Sequence, residues 1–407
     1  MARTSLSFSG LVTLTRASTK MVFNSSGVLT SVASDTPAFS YAPTTGAIRG
    51  LSLESAATNL ATTPDEPHTL FSTAVGGAIT ANQGVGPNGA TTMARFVVNS
   101  ATSTHYVGRS NSAIINSGQL VTYSVFLRDR GVGKVRLRLI DHTNTADNIY
   151  ASFDLDAGTK LDQSAAGTGS VIAAGIEVWD TDAYRVWITG TTAVGSSNNV
   201  QFRISVLNSS GSFENSTGDG VSGFDYGGIN VCASPLIQSY IATAGTRAAD
   251  IARLATLSPY YLASKGTYLC DFRMPSTAPS GVKLQLFRLD DGTDDNAAEI
   301  YVAAGTANVT ARIRSAGATV FSEILGTYTA GSVVKTRLSY AANAFAAALY
   351  GGTAVTGSSG AVPVGINAGY IGCSDVTGAN SANGDFQEFR YFPDNVSAGD
   401  LPLLVAD

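Results

Sequence analysis

The chain has 407 residues, 44% of them hydrophobic, which is enough for two or three cores rather than one. Only 14% are charged, and the formal net charge is −5. That balance excludes a chain built on long solvated helices, and it sets aside nucleic acid as the main partner, because phosphate binding draws on a basic surplus. Forty-three glycines point to many short strands joined by tight turns.

Residues 1–64 are polar and rich in turns, punctuated by Pro37, Pro43 and Pro64. They read as an attachment or oligomerisation segment draped on a neighbouring domain or subunit. The first ten residues lack a basic stretch followed by an apolar one, so no signal peptide is expected. No apolar run reaches membrane-spanning length either, and membrane insertion is not expected. The three cysteines, Cys232, Cys270 and Cys373, are far apart and read as buried free thiols.

From 65 to 245 the pattern is strand after strand. Residues 121–128 alternate, with Tyr123, Val125 and Leu127 on one face. Residues 134–140 place Val135, Leu137 and Leu139 opposite Arg136 and Arg138, and residues 184–189 place Val186 and Ile188 opposite Arg185 and Trp187. Residues 200–207 continue the theme. One apolar face per strand, with turn residues between, describes a β-sandwich. Residues 248–257 read equally as a short helix or an extended linker.

From 246 to 407 a second all-β unit is expected, with strands over 266–274, 283–289, 299–302, 308–313, 333–340, 344–350 and 385–392. Gly351-Gly352 marks a hairpin turn. Ser397 to Leu404 reads as a short terminal helix capped by Ser397. The expected fold class is therefore all-β, with two tandem β-sandwiches behind a small N-terminal segment.

Three stretches resemble a family of phage and prophage virion proteins. The first runs from Ala38 to Gly46, then Arg49-Gly50-Leu51-Ser52-Leu53-Glu54 and Thr58-Asn59-Leu60. The second is Ser239-Tyr240-Ile241-Ala242-Thr243 followed by Thr246-Arg247-Ala248-Ala249-Asp250; Ala242 stands where the family usually has Pro. The third, Leu289 to Thr293 with the closing Gly384 to Leu403 segment, is similar to a concanavalin A-like, laminin-G-like sandwich. Asp182-Ala183-Tyr184-Arg185 resembles a strand of a carbohydrate-binding jelly roll, without its usual Trp. The resemblance implies a jelly roll over 65–245 and a concanavalin A-like sandwich over 246–407. It also implies a fibre, head-spike or other particle protein, made in a host cytoplasm and located in the virion. Such a protein would be a homo-oligomer, trimeric or higher, contacting other virion proteins and host surface polysaccharide. A collar, decoration or adaptor protein without glycan binding is the alternative, and a polysaccharide depolymerase a further one.

The chemistry-bearing residues are few. Arg128, Arg136, Arg138, Arg185 and Trp187 all lie opposite the apolar stripes. On neighbouring strands they would form one basic, aromatic face suited to an acidic polysaccharide, since Arg grips carboxylate or sulfate with two prongs. Such a face equally suits a solvent-facing sheet or a subunit contact. Asp290, Asp291, Asp294, Asp295 and Glu299 crowd one loop, where calcium is the one metal their oxygens suit. A solvated hairpin loop accounts for the same residues. No other cofactor is expected. Glu177 and Asp180 fall three apart, which on a regular strand puts them on opposite faces and argues against an acid pair and against an enzyme. His68, His105 and His142 read as surface or turn residues, and Gly84-Val85-Gly86 and Gly131-Val132-Gly133 as turns rather than phosphate loops.

Overall fold

The computed structural model describes residues 12–109, 115–116, 118–192, 199–213, 215–254, 256–258 and 261–404. Almost every element is a strand, and the strands build two sandwiches in tandem, as the alternating patterns require.

In the first sandwich, a six-stranded sheet has the order Thr159–Ala166, Asn148–Asp154, Lys134–Asp141, Val200–Val206, Tyr106–Arg109, Thr73–Val75. It faces an eight-stranded sheet centred on Leu120–Arg130, which is flanked by Ala183–Thr191 and Gly223–Cys232. Tyr123, Val125 and Leu127 of one sheet meet Val135, Leu137 and Leu139 of the other in a shared core. Leu120–Arg130 and Lys134–Asp141 follow each other in sequence yet belong to opposite sheets. The crossing is made at Gly131 and Gly133, whose φ values of 96° and 67° favour glycine. The Asp129 carboxylate accepts hydrogen bonds from the backbone N–H groups of Gly131, Val132 and Gly133, which fixes the corner.

The second sandwich pairs two seven-stranded sheets. One runs Val12–Thr15, Ile251–Leu254, Ala368–Ile371, Leu284–Asp290, Ala297–Val302, Asn308–Ser315, Ala318–Thr327. The other runs Val355–Gly357, Ala344–Leu349, Val333–Ala341, Lys265–Arg273, Gly384–Phe392, Ile48–Leu53, Phe39–Tyr41. The segment left open between helix and linker is thus a strand over Ile251–Leu254, with Ala252 and Leu254 facing inward. The terminal helix is one 3-10 turn over Leu401–Leu403, with Asp400 rather than Ser397 at its N-cap.

The N-terminal strands are woven into both bodies. Val12–Thr15 and Ile48–Leu53 lie in opposite sheets of the second sandwich, and Val12, Leu14, Leu51 and Leu53 join its core. Fully burying a leucine is worth about 2 kcal/mol, so these strands contribute to that core and do not merely cover it. The hairpin Lys20–Phe23 with Leu29–Val32 instead leans on the outer face of the first sandwich, where Leu29 packs with Met93, Phe126, Trp179 and Tyr240. Residues 1–11 of the segment lie outside the described residues.

Candidate functional site

The five residues expected to form one basic face are divided by the corner at Gly131. Arg136 and Arg138 lie on the six-stranded sheet, while Arg128, Arg185 and Trp187 lie on the eight-stranded one. They face away from each other across the sandwich, so a single surface does not form. Both groups are also engaged within the chain. Arg136 stacks 4.0 Å over Tyr150 and Arg138 4.2 Å over Phe213, leaving 8% and 9% of each exposed. Arg185 donates to the Gln238 carbonyl and to Ser124 Oγ, and sits over Phe126. Trp187 is 9% exposed. Its ring lies on Gly175, where any Cβ would come within 2.6 Å, so that strand needs glycine for the indole to pack flat. Arg128 stacks on Trp179 and pairs with Asp180 at 2.6 Å.

The other sequence candidates are likewise absorbed by the fold. Glu177 pairs with Arg49 at 2.6 Å and approaches Arg273, bridging the first sandwich to the second. His105 is fully buried rather than superficial, and its ring nitrogens meet Ser216 Oγ and Asn99 Oδ1. His142 sits in a turn against Gln201. Gly86 closes a hairpin onto Ala90. The three thiols are free and buried.

Two of the stretches that carry the resemblance, those around Glu54 and around Arg247, converge on one buried junction. Glu54 accepts hydrogen bonds from the backbone N–H and hydroxyl of Ser239 and pairs with Arg247 at 3.0 Å. Asp250 receives Arg16 at 2.8 Å and Lys20 at 2.6 Å. Arg247 also donates to the Ser55 carbonyl and Gln238 Oε1. Burial pushes the Glu54 carboxyl up, but Lys20, Arg247 and Ser239 outweigh it and hold it at about 2. Asn59 bridges the Ile229 and Ile241 carbonyls. These residues fix the two sandwiches and the N-terminal strands to one another.

The candidate site lies on the outer face of the second sandwich. Strand register sets Arg253, Tyr370, Arg288, Glu299 and Arg312 side by side in one row across five strands. Glu299 is fully buried, and its carboxylate receives Lys283 at 3.0 Å, Arg288 at 3.1 Å and Arg312 at 2.5 Å. Lys283 also lies 4.5 Å over the Tyr301 ring. Above the row, the loop after Leu284–Asp290 brings Asp294 to Arg288 at 3.1 Å and to Arg312 at 2.8 Å, with Arg314 Nε at 3.6 Å. The groove beside them, about 560 Å³, is walled by Lys283, Arg288, Asp294, Arg312, Tyr370, Ser374 and Asn380.

The five carboxylates offered as a calcium candidate are therefore directed elsewhere. Asp290 and Glu299 face Arg288, and Asp294 faces three arginines. Asp291 is used by the turn, accepting from Thr293 and Asn296. Asp295 is exposed beside Gly317. Among the described residues no group of three or more His, Cys, Asp or Glu side chains is placed to hold a metal ion. Lys283 and Arg288 are far in sequence from Arg312 and Arg314, and only the assembled sheet brings the four together. The alternation of Arg312 and Arg314 within Asn308–Ser315 was the available signal.

No family model matches the sequence, and no curated protein matches it. Among solved structures, mouse laminin α1 domains LG4-5 are 12% identical, with 72% of this chain aligned to 86% of that one at a TM-score of 0.28. The NanB sialidase of Streptococcus pneumoniae is 16% identical, with 38% of this chain aligned to 26% of that one at 0.31. The Trypanosoma rangeli sialidase is 10% identical over 80% of this chain and 61% of its own, at 0.29.

Proposed function

We propose that this chain is a structural protein of a phage-type particle that grips acidic surface glycans through the groove of its second sandwich, without cleaving them. The observation that carries the glycan reading is the cation cluster on that face. Lys283, Arg288 and Arg312 line an open groove, with Arg314 beyond them at 3.6 Å from Asp294, and Asp290, Asp294, Asp375 and the buried Glu299 oppose them. Guanidinium pairs recognise carboxylate and sulfate in two-pronged fashion. Ser374 and Asn380, hydrogen-bonded to each other, lie along the same wall. The particle assignment is supported by the sequence resemblance, whose first two stretches meet in the Glu54–Arg247–Asp250 junction. A weak site of this kind holds a particle through repetition, which accords with a homo-oligomer.

Retention of the purified chain on an immobilised sulfated or carboxylated polysaccharide tests the reading. Arg312→Gln combined with Arg314→Gln is expected to weaken binding about tenfold or more, since each charge-assisted hydrogen bond is worth roughly 1.5–3 kcal/mol. Failure of both the wild-type chain and Asp294→Asn to bind acidic and neutral polysaccharides alike at low salt overturns it. The adaptor reading would then stand.

A further inference from the structure

The groove's cations already hold an anion, and that anion is supplied by the chain itself. We infer that Asp294 is an internal stand-in for the acidic group of the ligand, which takes its place on binding; this rests on the glycan reading above. Asp294 sits at the tip of the loop, its side chain 53% exposed, yet it contacts Arg288, Arg312 and Arg314 at once. The loop does not depend on it for shape. Its turn is held by Asp290, which receives the Gly292 N–H, and by Asp291, which receives the N–H and hydroxyl of Thr293. Glu299 and Asp290, in contrast, are buried and fixed under the same arginines.

The two tiers of carboxylates therefore have different fates. The buried pair stays and positions the guanidinium groups. The exposed one exchanges, because an ion pair open to water is worth little and one carboxylate replaces another at small cost. With Asp294 in place, Lys283, Arg288, Arg312 and Arg314 face four carboxylates, Asp290, Asp294, Glu299 and Asp375; with it withdrawn they face three, and the cations are in excess by one. An incoming group also gains a contact that Asp294 does not make. Arg314 Nε is buried and without a hydrogen-bond partner, 3.6 Å from Asp294 Oδ2. A sulfate or sugar carboxylate seated slightly nearer would satisfy it. Self-occupancy of this kind lowers the apparent affinity by the fraction of time the site is filled. It also keeps the groove closed to small anions, while a polymer offering several acidic groups outcompetes the loop.

The test is affinity for two probes, heparin and polysialic acid, which separate sulfate from carboxylate as the recognised group. Asp294→Asn is compared with wild type, and Asp295→Asn, one residue along the same exposed loop, controls for net charge. The expected result is binding about tenfold tighter in Asp294→Asn, with no more than about a twofold change in Asp295→Asn. Binding seen only in Asp294→Asn supports the inference in its strongest form. Equal or weaker binding in Asp294→Asn than in wild type, or equal tightening in both variants, overturns it while leaving the glycan reading in place. Failure of wild type and both variants to bind either probe overturns the glycan reading and the inference together.

Discussion

Glu54 and Arg247 form a buried ion pair at 3.0 Å that joins the end of the N-terminal strands to the junction between the sandwiches. Each partner is further tied, Glu54 to Ser239 and Lys20, and Arg247 to Asp250, Ser55 and Gln238. Removing one member of a buried pair strands the other charge, at a cost of about 3–5 kcal/mol. Glu54→Gln and Arg247→Met are each expected to lower unfolding stability by about that amount, measured by urea denaturation. Because the two share partners, the double substitution is expected to cost less than the sum of the singles.

The same pair sets an acid limit on the fold. Glu54 titrates at about 2 in the folded chain, against an ordinary value of 4.5. Its carboxylate therefore stabilises the native state above its ordinary range, and that contribution drains away as pH falls through the folded value. The loss is on the order of 3 kcal/mol, spread between about pH 5 and pH 2. Urea midpoints followed across that window should fall for wild type and fall less steeply for Glu54→Gln. Identical slopes would mean that the Glu54 network is not what fails in acid.

The division of Arg128, Arg136, Arg138, Arg185 and Trp187 between two sheets predicts a clean separation of phenotypes. Trp187→Ala removes a nearly buried ring from the strand holding Gly175 and should cost about 3 kcal/mol, without changing retention on an acidic polysaccharide. Arg314→Gln should do the opposite, since its guanidinium approaches Asp294 beside the groove. Melting curves and polysaccharide retention on the same two variants check this. Loss of retention in Trp187→Ala at unchanged stability would return the site to the first sandwich.

The period-two strands were legible because a half-buried strand writes its orientation in every second residue. Val135, Leu137 and Leu139 against Arg136 and Arg138 needed no partner to be read. Their sheet was not legible. Leu120–Arg130 and Lys134–Asp141 look like a hairpin, and only the left-handed Gly131 and Gly133 send the second across to the other sheet. The strands Val12–Thr15 and Ile48–Leu53 were hidden for a related reason. Their partners, Ile251–Leu254 and Gly384–Phe392, lie far along the chain, and short pieces with few apolar residues carry no sign of a distant edge. The groove depended on the same long-range order, because Tyr370 comes beside Arg288 only once the strands are assembled. The first two resemblance motifs meet at a structural junction, whereas the third, Leu289 to Thr293, runs into the wall of the groove.

The acidic loop supplies the last prediction, and it concerns metal. Calcium takes six to eight oxygen ligands at once, several of them carboxylate. Asp290 and Glu299 are committed to Arg288, with Glu299 also holding Arg312 and Lys283, so an ion near them would sit among three or more positive groups. Asp291 is spent on the turn, and its hydrogen bonds hold its carboxyl below the usual carboxylate range, Thr293 contributing most. Asp294 and Asp295 are the carboxylates left toward solvent, too few for such a shell. The thermal midpoint is therefore expected to be the same in calcium and in EDTA. A rise with calcium, abolished by Asp291→Asn, would show that the loop opens its turn to take the ion and releases Asp294 from its arginines.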